Sequence, residues 1–414
     1  MRNLYGLLTE SNLRLCYEGL RKNAAPGVDR VTVREYGKNL DENLADLVKR
    51  LKQRRYRAKL VRRKHIPKGD GKTRPLGIPA VEDKLLQLCV TKILSAIYET
   101  EFLETSWGYR PGRGAQEASQ VLAGRLAIGR YHWVLDADLK SYFDTIDHDW
   151  LIRMLELRVA DGALLQLIRR WLKAGILEED GNVIDPLTGT PQGGILSPLL
   201  ANVYLHYALD LWFEKHVRCR LRGQAMLLRY ADDFVCAFEH EAEARKFHEQ
   251  LEARMKKFEL SLSTEKTHLV GFSRNDPKGN NGGFDFLSFR YHWETTRKGN
   301  RKVQRMTSPR KRQRSEAAMR AWIKANRHEP VKVLLGRLKR KLTGYWNYYG
   351  VNGNMMSLNK FWRETQRSLY QWLNRRSQRR SYRWDKLLNL LKQHGLNGPR
   401  LRGNYQQRLW LPST

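Results

Sequence analysis

A β-hairpin is predicted by the stretch MLLRYADDFVCAF, residues 226–238, which reads as an apolar strand, a polar turn and a second apolar strand. Asp232 and Asp233 are adjacent at the predicted turn. Burying two neighbouring carboxylates without a cation is costly, so the pair must lie at the tip of the hairpin. The pair is a candidate divalent-metal site, but Asp also favours solvated turns, and the hairpin alone leaves both interpretations open.

A second source of carboxylates lies in WVLDADLKSYFDTIDH, residues 133–148, whose apolar start predicts a buried strand that ends on carboxylates. Asp136 and Asp138 lie on one face of that strand, because side chains alternate with a period of two. A two-metal site needs oxygen ligands from separate segments, and Asp138 can supply the third carboxylate, with the backbone carbonyl of Leu139 nearby. We interpret the remaining aspartates of this region as turn and cap residues: Asp136, Asp144, Asp147 and Asp149.

The charge of the chain is strongly positive and unevenly distributed. The 414 residues are 41% hydrophobic, enough for a core, and carry a formal net charge of +33. Residues 297–414 contain 30 Lys and Arg against 4 Asp and Glu, a balance of +26, which leaves +7 for residues 1–296. Such a balance predicts a polyanionic partner, with nucleic acid favoured over a membrane surface.

The cysteines and the hydropathy pattern exclude other classes of protein. The four cysteines are scattered without a Cys-x-x-Cys pair, so we expect neither structural zinc nor a disulfide framework. The first residues lack the apolar core of a signal peptide, and no run approaches 18 apolar residues. We therefore expect a cytoplasmic, nucleoid-associated protein that has no membrane partner.

Hydrophobic periodicity predicts an α+β catalytic domain followed by an all-helical basic module. Ser197 followed by Pro198 predicts a helix start with Ser197 as N-cap. FDFLSFRY, residues 284–291, predicts one strand, and the basic segment 297–330 predicts a mobile linker. The aromatic residues of the C-terminal helices are interpreted mainly as core residues, with base stacking as the alternative, and two of them are least determined: Tyr348 and Trp384. Helices are predicted over 82–101, 148–175 and 241–258 and again after residue 330.

An Asp-x-x-x-x-Phe segment followed 92 residues after its Asp by Tyr-Ala-Asp-Asp resembles the palm domain of reverse transcriptases. The resemblance implies two Mg²⁺ ions held by Asp138, Asp232 and Asp233, with the carbonyl of Leu139. It also implies that Phe143 is a steric gate that rejects a 2′-hydroxyl. Asp138 is preferred to Asp136 as the metal ligand, because Asp136 would put Ser141 at the gate.

Five further segments resemble reverse transcriptase motifs and follow the family order: KHIPKGDGKTRPLGIP (64–79), WGYRPGRGA (107–115), GTPQGGILSPLLAN (189–202), LSTEKT (262–267) and FDFLSF (284–289). The first implies a basic clamp on the triphosphate, which suits the charge of that group. The glycine pair of the third would let the backbone approach the template. Nucleotide-binding roles are implied for Lys68, Arg74, Gln192 and Lys266. Primer or template contacts are implied for Tyr230, Gly193, Phe286 and Leu287.

Two features resemble the reverse transcriptase–maturases of bacterial group II introns. KNAAPGVDRVT, residues 22–32, resembles the extension that precedes their fingers. The basic helical segment, which includes GRLKRKLTGYWNYYGV (336–351) and RSLYQWLNRRSQRRSYRW (367–384), resembles their thumb or maturase domain, which grips the intron RNA. RNA contacts are then expected from Arg337, Lys339, Arg340, Lys341, Arg375, Arg376, Arg379 and Arg380.

The resemblance implies right-hand polymerase fingers and palm, with an antiparallel palm sheet, followed by an all-helical thumb. The implied divisions are an N-terminal extension (1–45), fingers and palm (46–296), thumb/maturase (297–395) and a short basic tail (396–414). No His-Asn-His endonuclease motif follows, so the endonuclease-lacking class is expected, which needs an existing DNA end or nick as primer.

The implied function is RNA-dependent DNA synthesis by an intron-encoded protein that also assists splicing and supports retrohoming by target-primed reverse transcription. The implied partners are intron RNA, an RNA template, a DNA primer or target and dNTPs; the oligomeric state is open. One alternative is a domesticated relative in antiphage defence or DNA repair. Another is an RNA-binding splicing factor with an inactive palm, which the intact Asp138, Asp232 and Asp233 disfavour. Folded intron RNA around the reading frame would distinguish these alternatives.

Overall fold

A computed structural model describes residues 1–67, 73–191, 193–275, 283–296, 298–376 and 381–401. Helices alternate with small sheets in which most strand pairs are antiparallel, in agreement with the predicted α+β class. Four residues with predicted roles lie outside this described part of the chain: Lys68, Gln192, Arg379 and Arg380.

The described α-helices are α1 (Glu10–Gly19), α2 (Val33–Tyr36), α3 (Leu40–Lys52), α4 (Val81–Tyr98), α5 (Ala115–Ile128), α6 (Tyr142–Thr145), α7 (His148–Glu156), α8 (Gly162–Leu172), α9 (Ser197–Leu205), α10 (Glu241–Lys257), α11 (Pro309–Ala325), α12 (Val331–Tyr349), α13 (Met355–Leu373) and α14 (Trp384–Gln393). Two π-helical segments follow α9, at His206–Asp210 and Phe213–Val217. Short 3₁₀ turns lie at Tyr5–Leu7, Gly37–Asn39 and Arg218–Arg220. None of the helices in the described ranges is long and apolar enough to cross a membrane.

The described strands are β1 (Val61–Pro67), β2 (Thr73–Ile78), β3 (Trp133–Asp138), β4 (Ile176–Leu177), β5 (Val183–Ile184), β6 (Ala225–Tyr230), β7 (Asp233–Phe238), β8 (His268–Gly271), β9 (Phe284–Phe286), β10 (Phe289–Thr295) and β11 (Arg301–Thr307). They form three sheets, in the orders β2-β1-β4-β5, β6-β7-β3-β8 and β11-β10-β9.

The chain divides into two compact units. The first unit comprises Met1–Gly114 and Ala137–Leu269, and the second comprises Ala115–Asp136 and Val270–Thr414. The boundaries cut within β3 and β8, so Asp138 belongs to the first unit. The division into extension, fingers and palm, thumb and tail stays a prediction.

The hairpin of β6 and β7 forms the core of the first unit around the predicted catalytic residues. Its register runs from Ala225 opposite Phe238 to Tyr230 opposite Asp233. Apart from Arg229 in β6, the residues between the ends of both strands are apolar, and all of them are buried. The predicted hairpin is therefore confirmed.

The second unit combines a three-stranded sheet with helices. The hydroxyl of Ser119 on α5 accepts hydrogen bonds from the hydroxyl of Tyr291 (2.6 Å) and from the guanidinium of Arg305 (3.1 Å). The helical core is formed by leucines of α12 and α13 together with Phe361, on which Tyr345 stacks with ring centroids 3.9 Å apart. The core interpretation is confirmed for Tyr345.

The predicted mobile linker over 297–330 is wrong. Residues Arg301–Thr307 form β11, which pairs with β10 along its whole length, and Pro309–Ala325 form the 17-residue helix α11. The charge of this segment suggested solvated chain, but strand pairing is a long-range contact that composition does not reveal. The pairing satisfies backbone groups while leaving most of the basic side chains partly exposed.

Two smaller predictions also need correction. FDFLSFRY forms two strands, β9 and β10, because Leu287 and Ser288 adopt φ of 48° and 67° and reverse the chain. Ser197 is not an N-cap: α9 begins at Ser197, and its hydroxyl donates to the carbonyl of Pro191 at 2.9 Å. Asp147 caps α7 as predicted, accepting from the backbone N–H of Trp150 at 2.7 Å.

Candidate active site

The Tyr230–Asp233 turn is a two-residue hairpin loop closed by the pairing of Tyr230 with Asp233. Hairpin loops of this length need a positive φ at their first position. Ala231 supplies it with φ of 58°. The loop brings its two carboxylates to different environments, since Asp232 is half-buried and Asp233 is exposed.

Asp138 lies at the carboxyl end of β3, where the distant segment around Leu262 fixes the backbone by an antiparallel bridge to Leu139. The carbonyl of Asp138 accepts from the N–H of Ser263 at 2.8 Å, and the N–H of Lys140 donates to the carbonyl of Ser261 at 2.9 Å. This pairing brings Lys266 within reach, and its ammonium donates to the Asp138 carboxylate at 2.5 Å. Two predicted site residues, Asp138 and Lys266, are thus in direct contact.

The electrostatics couple these residues to the turn. Burial raises the pKa of Asp232, and the negative charge of Asp138 raises it further. Lys266 and Arg74 oppose that rise with their positive charges. The hydrogen bond to Asp138 raises the pKa of Lys266. The predicted residues Asp138, Asp232, Lys266 and Arg74 therefore share one electrostatic environment, although they come from four separate stretches of sequence.

The donor set suits a hard divalent cation. Carboxylate oxygens are the ligands that Mg²⁺ prefers. Burial and the charge of Asp138 raise the pKa of Asp232, and a bound cation would oppose that rise by stabilising the ionised form. Within the described ranges, no three His, Cys, Asp or Glu side chains are already arranged as a metal site. Lys266 instead engages Asp138 as the nearest cation. The carboxylates of Asp138 and Asp232 therefore suit a divalent cation in both their oxygen ligands and their negative charge.

Phe143 lies half-buried on α6, beside a residue that the sequence did not single out. The ring of Tyr109 meets it edge to face, with centroids 6.3 Å apart. Burial raises the pKa of Tyr109, and the charge of Asp232 adds to the rise. Tyr109 therefore lies near both the predicted gate and the predicted metal ligand. Tyr109 could have been identified from the sequence, because it belongs to WGYRPGRGA, one of the segments that resemble reverse transcriptase motifs.

The loop that carries Gly193 packs against α6 and β2. The N–H of Thr190 donates to the carbonyl of Phe143 at 2.7 Å. Gly193 has φ of 109°, and a Cβ there would lie 2.6 Å from the carbonyl oxygen of Gly77 on β2. Only glycine fits this close approach. Two residues with predicted nucleotide-binding roles, Lys68 and Gln192, fall outside the described residues.

A buried arginine beside the turn was missed by the sequence analysis. Arg229 is fully buried in β6 and pairs with the fully buried Asp210 at 2.6 Å. The signal was present in MLLRYADD, because a charge inside an otherwise apolar strand requires a buried partner.

The six predicted RNA-binding cations that lie within the described residues fall into two groups. The exposed group comprises Lys339, Arg340, Lys341 and Arg375. Arg337 and Arg376 are half-buried and engage the protein itself, through the Glu329 carboxylate and the Glu329 carbonyl respectively. Two of the predicted primer or template residues, Phe286 and Leu287, lie in the second unit. Phe286 is buried, and the carbonyl of Leu287 accepts from the hydroxyl of Tyr348 at 3.0 Å.

Comparison with known proteins identifies the family. Residues 66–299 match the family model described as reverse transcriptase (RNA-dependent DNA polymerase). Protein YkfC of Escherichia coli K12 is 32% identical over 326 residues, which cover 71% of this chain and 82% of that protein.

Two further relatives carry intron-related names. Group II intron-encoded protein LtrA of Lactococcus lactis is 43% identical over 167 residues, 40% of this chain. Nuclear intron maturase 4, mitochondrial, of Arabidopsis thaliana is 27% identical over 151 residues. The matched region spans 27% of the Lactococcus protein and 18% of the Arabidopsis protein. From the match to the family model and the coverage of the Escherichia coli relative, this chain belongs to the reverse transcriptase family.

Proposed function

We propose that this chain is an RNA-directed DNA polymerase encoded by a group II intron, and that it also binds the intron RNA to assist splicing. The proposal rests on membership of the reverse transcriptase family and on the names of the relatives, which include an intron-encoded protein and an intron maturase. Its polymerase part applies to the first unit and its RNA-binding part mainly to the second.

One observation carries the polymerase part. Asp138 ends β3 and Asp232 lies in the turn between β6 and β7, yet the charge of Asp138 raises the pKa of Asp232. Asp233 extends the set from the same turn. Three carboxylates from two segments would hold two Mg²⁺ ions, with the carbonyl of Leu139 as a further ligand. When bound, such ions activate the primer 3′-hydroxyl and neutralise the triphosphate and its leaving group.

The other residues of the first unit bind and orient the substrates. Arg74 would hold the triphosphate, with Lys68 as its partner in the same segment, because phosphate oxygens favour charge-assisted hydrogen bonds. Lys266 would balance the charge of the carboxylates and approach the nucleotide. Gln192 and the Gly193 backbone would lie along the new base pair. Each of these polar groups would contact one part of the dNTP and so help to orient it for reaction.

Phe143 would select the sugar. A ring that packs edge to face against Tyr109 has little freedom to move aside for a 2′-hydroxyl. Sterically enforced exclusion of one oxygen gives modest but useful discrimination. Tyr230, Phe286 and Leu287 would contact the primer or template.

The RNA-binding part needs no catalytic side chain. Residues 297–414 have a balance of +26, and four of their predicted RNA contacts are exposed: Lys339, Arg340, Lys341 and Arg375. Basic faces of this kind bind phosphates through release of counterions. We infer a right-hand arrangement of fingers, palm and thumb, with the N-terminal extension over 1–45 and the thumb/maturase domain over 297–395.

The polymerase part is tested by extension of a DNA primer on an RNA template in the presence of Mg²⁺ and dNTPs. Asp138→Ala should abolish extension, whereas the matched control Asp149→Ala should retain it. Asp149 is an acidic residue of the same region that pairs only at the surface with Arg169, at 3.1 Å. Equal activity of Asp138→Ala and the wild-type chain would overturn the assignment of the active site.

A further inference from the structure

Arg229 makes an unusually complete set of contacts immediately before the Tyr230–Asp233 turn. Its Nε and Nη2 donate to the two carboxylate oxygens of Asp210, at 2.8 and 2.6 Å. Its Nη1 donates to the side-chain oxygen of Asn202 at 3.0 Å. All three side chains are buried, with exposures of 0% for Arg229 and Asp210 and 1% for Asn202. The charge is thus neutralised by a bidentate partner away from water.

The same guanidinium also reaches the turn. Nη1 of Arg229 donates to the backbone carbonyl of Ala231 at 2.9 Å. Ala231 has φ of 58°, a left-handed conformation that an alanine seldom adopts without support. The bond therefore ties the strained residue of the turn to the buried pair. The next residue along the chain is Asp232.

A second strand-like segment supports the turn from the side. The N–H of Arg229 donates to the carbonyl of Thr105 at 2.8 Å, and the N–H of Trp107 donates to the carbonyl of Arg229 at 2.9 Å. Gly108 follows, and a Cβ at this position would lie 2.3 Å from the backbone nitrogen of Ala231. The side-chain amide of Asn202 donates to the carbonyl of Gly108 at 2.7 Å. Asn202 therefore links the arginine to the segment that touches the turn.

We propose that Arg229, oriented by Asp210 and Asn202, is a positioning residue that sets the location of Asp232 and Asp233, with Gly108 as the surface against which the turn is held. The inference rests on the proposed polymerase function, because it assigns a role in that same site. These side chains are not proposed to touch the substrate. They act through the backbone of Ala231, which carries the ligand residues on its C-terminal side.

The arrangement is more specific than stabilisation requires. Asp210 alone would neutralise the charge of Arg229, and it accepts one hydrogen bond from Nε and one from Nη2. Nη1 is used instead to join Asn202 and Ala231. Partners that orient metal ligands from outside the ligand set commonly change metal affinity or activity by about 10- to 100-fold when they are replaced.

The first test compares Arg229→Lys with Ser106→Ala in the full chain. Lysine keeps the positive charge for Asp210 but cannot contact Asn202 and Ala231 at the same time. The hydroxyl of Ser106 accepts from Nη2 of Arg229 at 2.8 Å, so Ser106→Ala removes a buried bond that does not involve the turn. Thermal unfolding would measure the stability cost of each variant.

Two readouts separate positioning from general destabilisation. In primer extension, Arg229→Lys should lower kcat by about 10- to 100-fold and leave the KM for dNTP within roughly threefold of wild type. In titrations with Mn²⁺ alone, followed by electron paramagnetic resonance without nucleotide or nucleic acid, it should weaken binding by about tenfold. Ser106→Ala should match the wild type in both readouts.

Gly108→Ala provides an independent variant. It leaves Arg229, Asp210 and Asn202 chemically unchanged, and its added methyl group should displace the turn by contact with the Ala231 backbone. A folded Gly108→Ala chain should lose kcat and Mn²⁺ affinity in the same way as Arg229→Lys. This variant decides the question if the lysine variant does not fold.

Wild-type kcat and Mn²⁺ binding in a folded Arg229→Lys or Gly108→Ala chain would overturn the positioning role. Equal losses in Ser106→Ala and Arg229→Lys would also overturn it, since they would indicate a general effect on the fold. Failure of the wild-type chain to extend any primer would contradict the proposed function instead. The Mn²⁺ comparison would still test the positioning of the carboxylates, because it does not depend on polymerase activity.

Discussion

Positive charge is used differently in the two units. In the first unit, Arg229 is wholly buried and every nitrogen of its guanidinium has a protein partner. In the second unit, cations lie over exposed faces and beside indole rings, as Lys341 does over Trp322 at 5.0 Å and Arg375 over Trp372 at 5.6 Å. The net charge of the chain alone does not distinguish these uses, whereas burial and pairing do.

The supply of carboxylates explains the difference. Residues 297–414 have only 4 acidic residues for 30 basic ones. Three of the four form internal pairs: Glu316 with Arg312, Glu329 with Arg337 and Glu364 with Arg320. Most of the remaining cations have no carboxylate of their own segment to neutralise them. The second unit is therefore suited to bind a polyanion, and the first to hold a fixed catalytic geometry.

The largest expected effect separates the two units completely. Asp232→Ala should lower RNA-templated DNA synthesis by roughly 10³-fold or more, because it removes a proposed metal ligand. The affinity for folded intron RNA and the assistance to splicing should stay within about twofold of wild type. Primer extension, filter binding and a splicing assay on one preparation would measure all three. Parallel loss of splicing in a folded variant would contradict the separation of roles.

A second variant changes the choice of substrate within the first unit. Phe143→Ala should reduce discrimination against ribonucleotides by about 10- to 100-fold, because it opens space beside the sugar. Phe143→Tyr is the control, since it keeps the ring and should keep the discrimination. Steady-state kcat/KM for dNTP and rNTP would give the ratio. An unchanged ratio in Phe143→Ala would rule out the gate.

Replacing exposed cations of the second unit should change the salt dependence of RNA binding and leave DNA synthesis unchanged. Replacing the exposed cations Lys339, Arg340 and Lys341 by Gln should reduce the slope of log affinity for RNA against log salt by about 2. Primer extension on a saturating primer–template should remain near wild type. Arg337→Gln is the matched control. Arg337 already pairs with the carboxylate of Glu329, so the salt slope should change less than it does in the triple variant. Equal slopes for all variants would contradict the exposed-face assignment.

The smallest expected effect concerns a buried acid of the first unit. Burial raises the pKa of Asp83 to about 6, although Tyr56 and the N–H of Lys59 donate to its carboxylate. An acid whose folded pKa is raised contributes stability below its unfolded pKa of about 4, and this contribution is lost as pH rises through about 6.

Asp83→Asn cannot ionise and should escape that loss. Its free energy of unfolding relative to wild type should therefore improve by up to about 3 kcal/mol between pH 4 and pH 7.5. Urea unfolding at the two pH values would measure the change. A pH-independent difference would show that Asp83 is not held in a raised-pKa environment.

The sequence predicted the elements whose signals are local. The hairpin around Asp232 and Asp233 and the helix α4 follow from apolar runs and from 3.6-residue periodicity. β11 was missed because its pairing partner β10 is identified by tertiary structure and not by composition. The reversal at Leu287 was missed because non-glycine residues seldom adopt a positive φ.

The candidate site shows the same limit. Spacing and resemblance were enough to select Asp138, Asp232 and Asp233. The electrostatic coupling between Asp138 and Asp232 could be seen only in the folded structure. The environment of Arg229 depends on Asp210 and Asn202, which precede it by 19 and 27 residues and reach it only through the packing of the helical region. Sequence indicated that a buried charge needed a partner, and the structure identified the partner.

The most direct test of the central claim is extension of a DNA primer on an RNA template by the purified full-length chain, measured with Mg²⁺ and again after chelation. We expect full-length cDNA with Mg²⁺ and dNTPs, no product after chelation, and recovery when Mg²⁺ is restored. Product that persists after chelation, or the absence of product from a folded wild-type chain under all metal conditions, would contradict it.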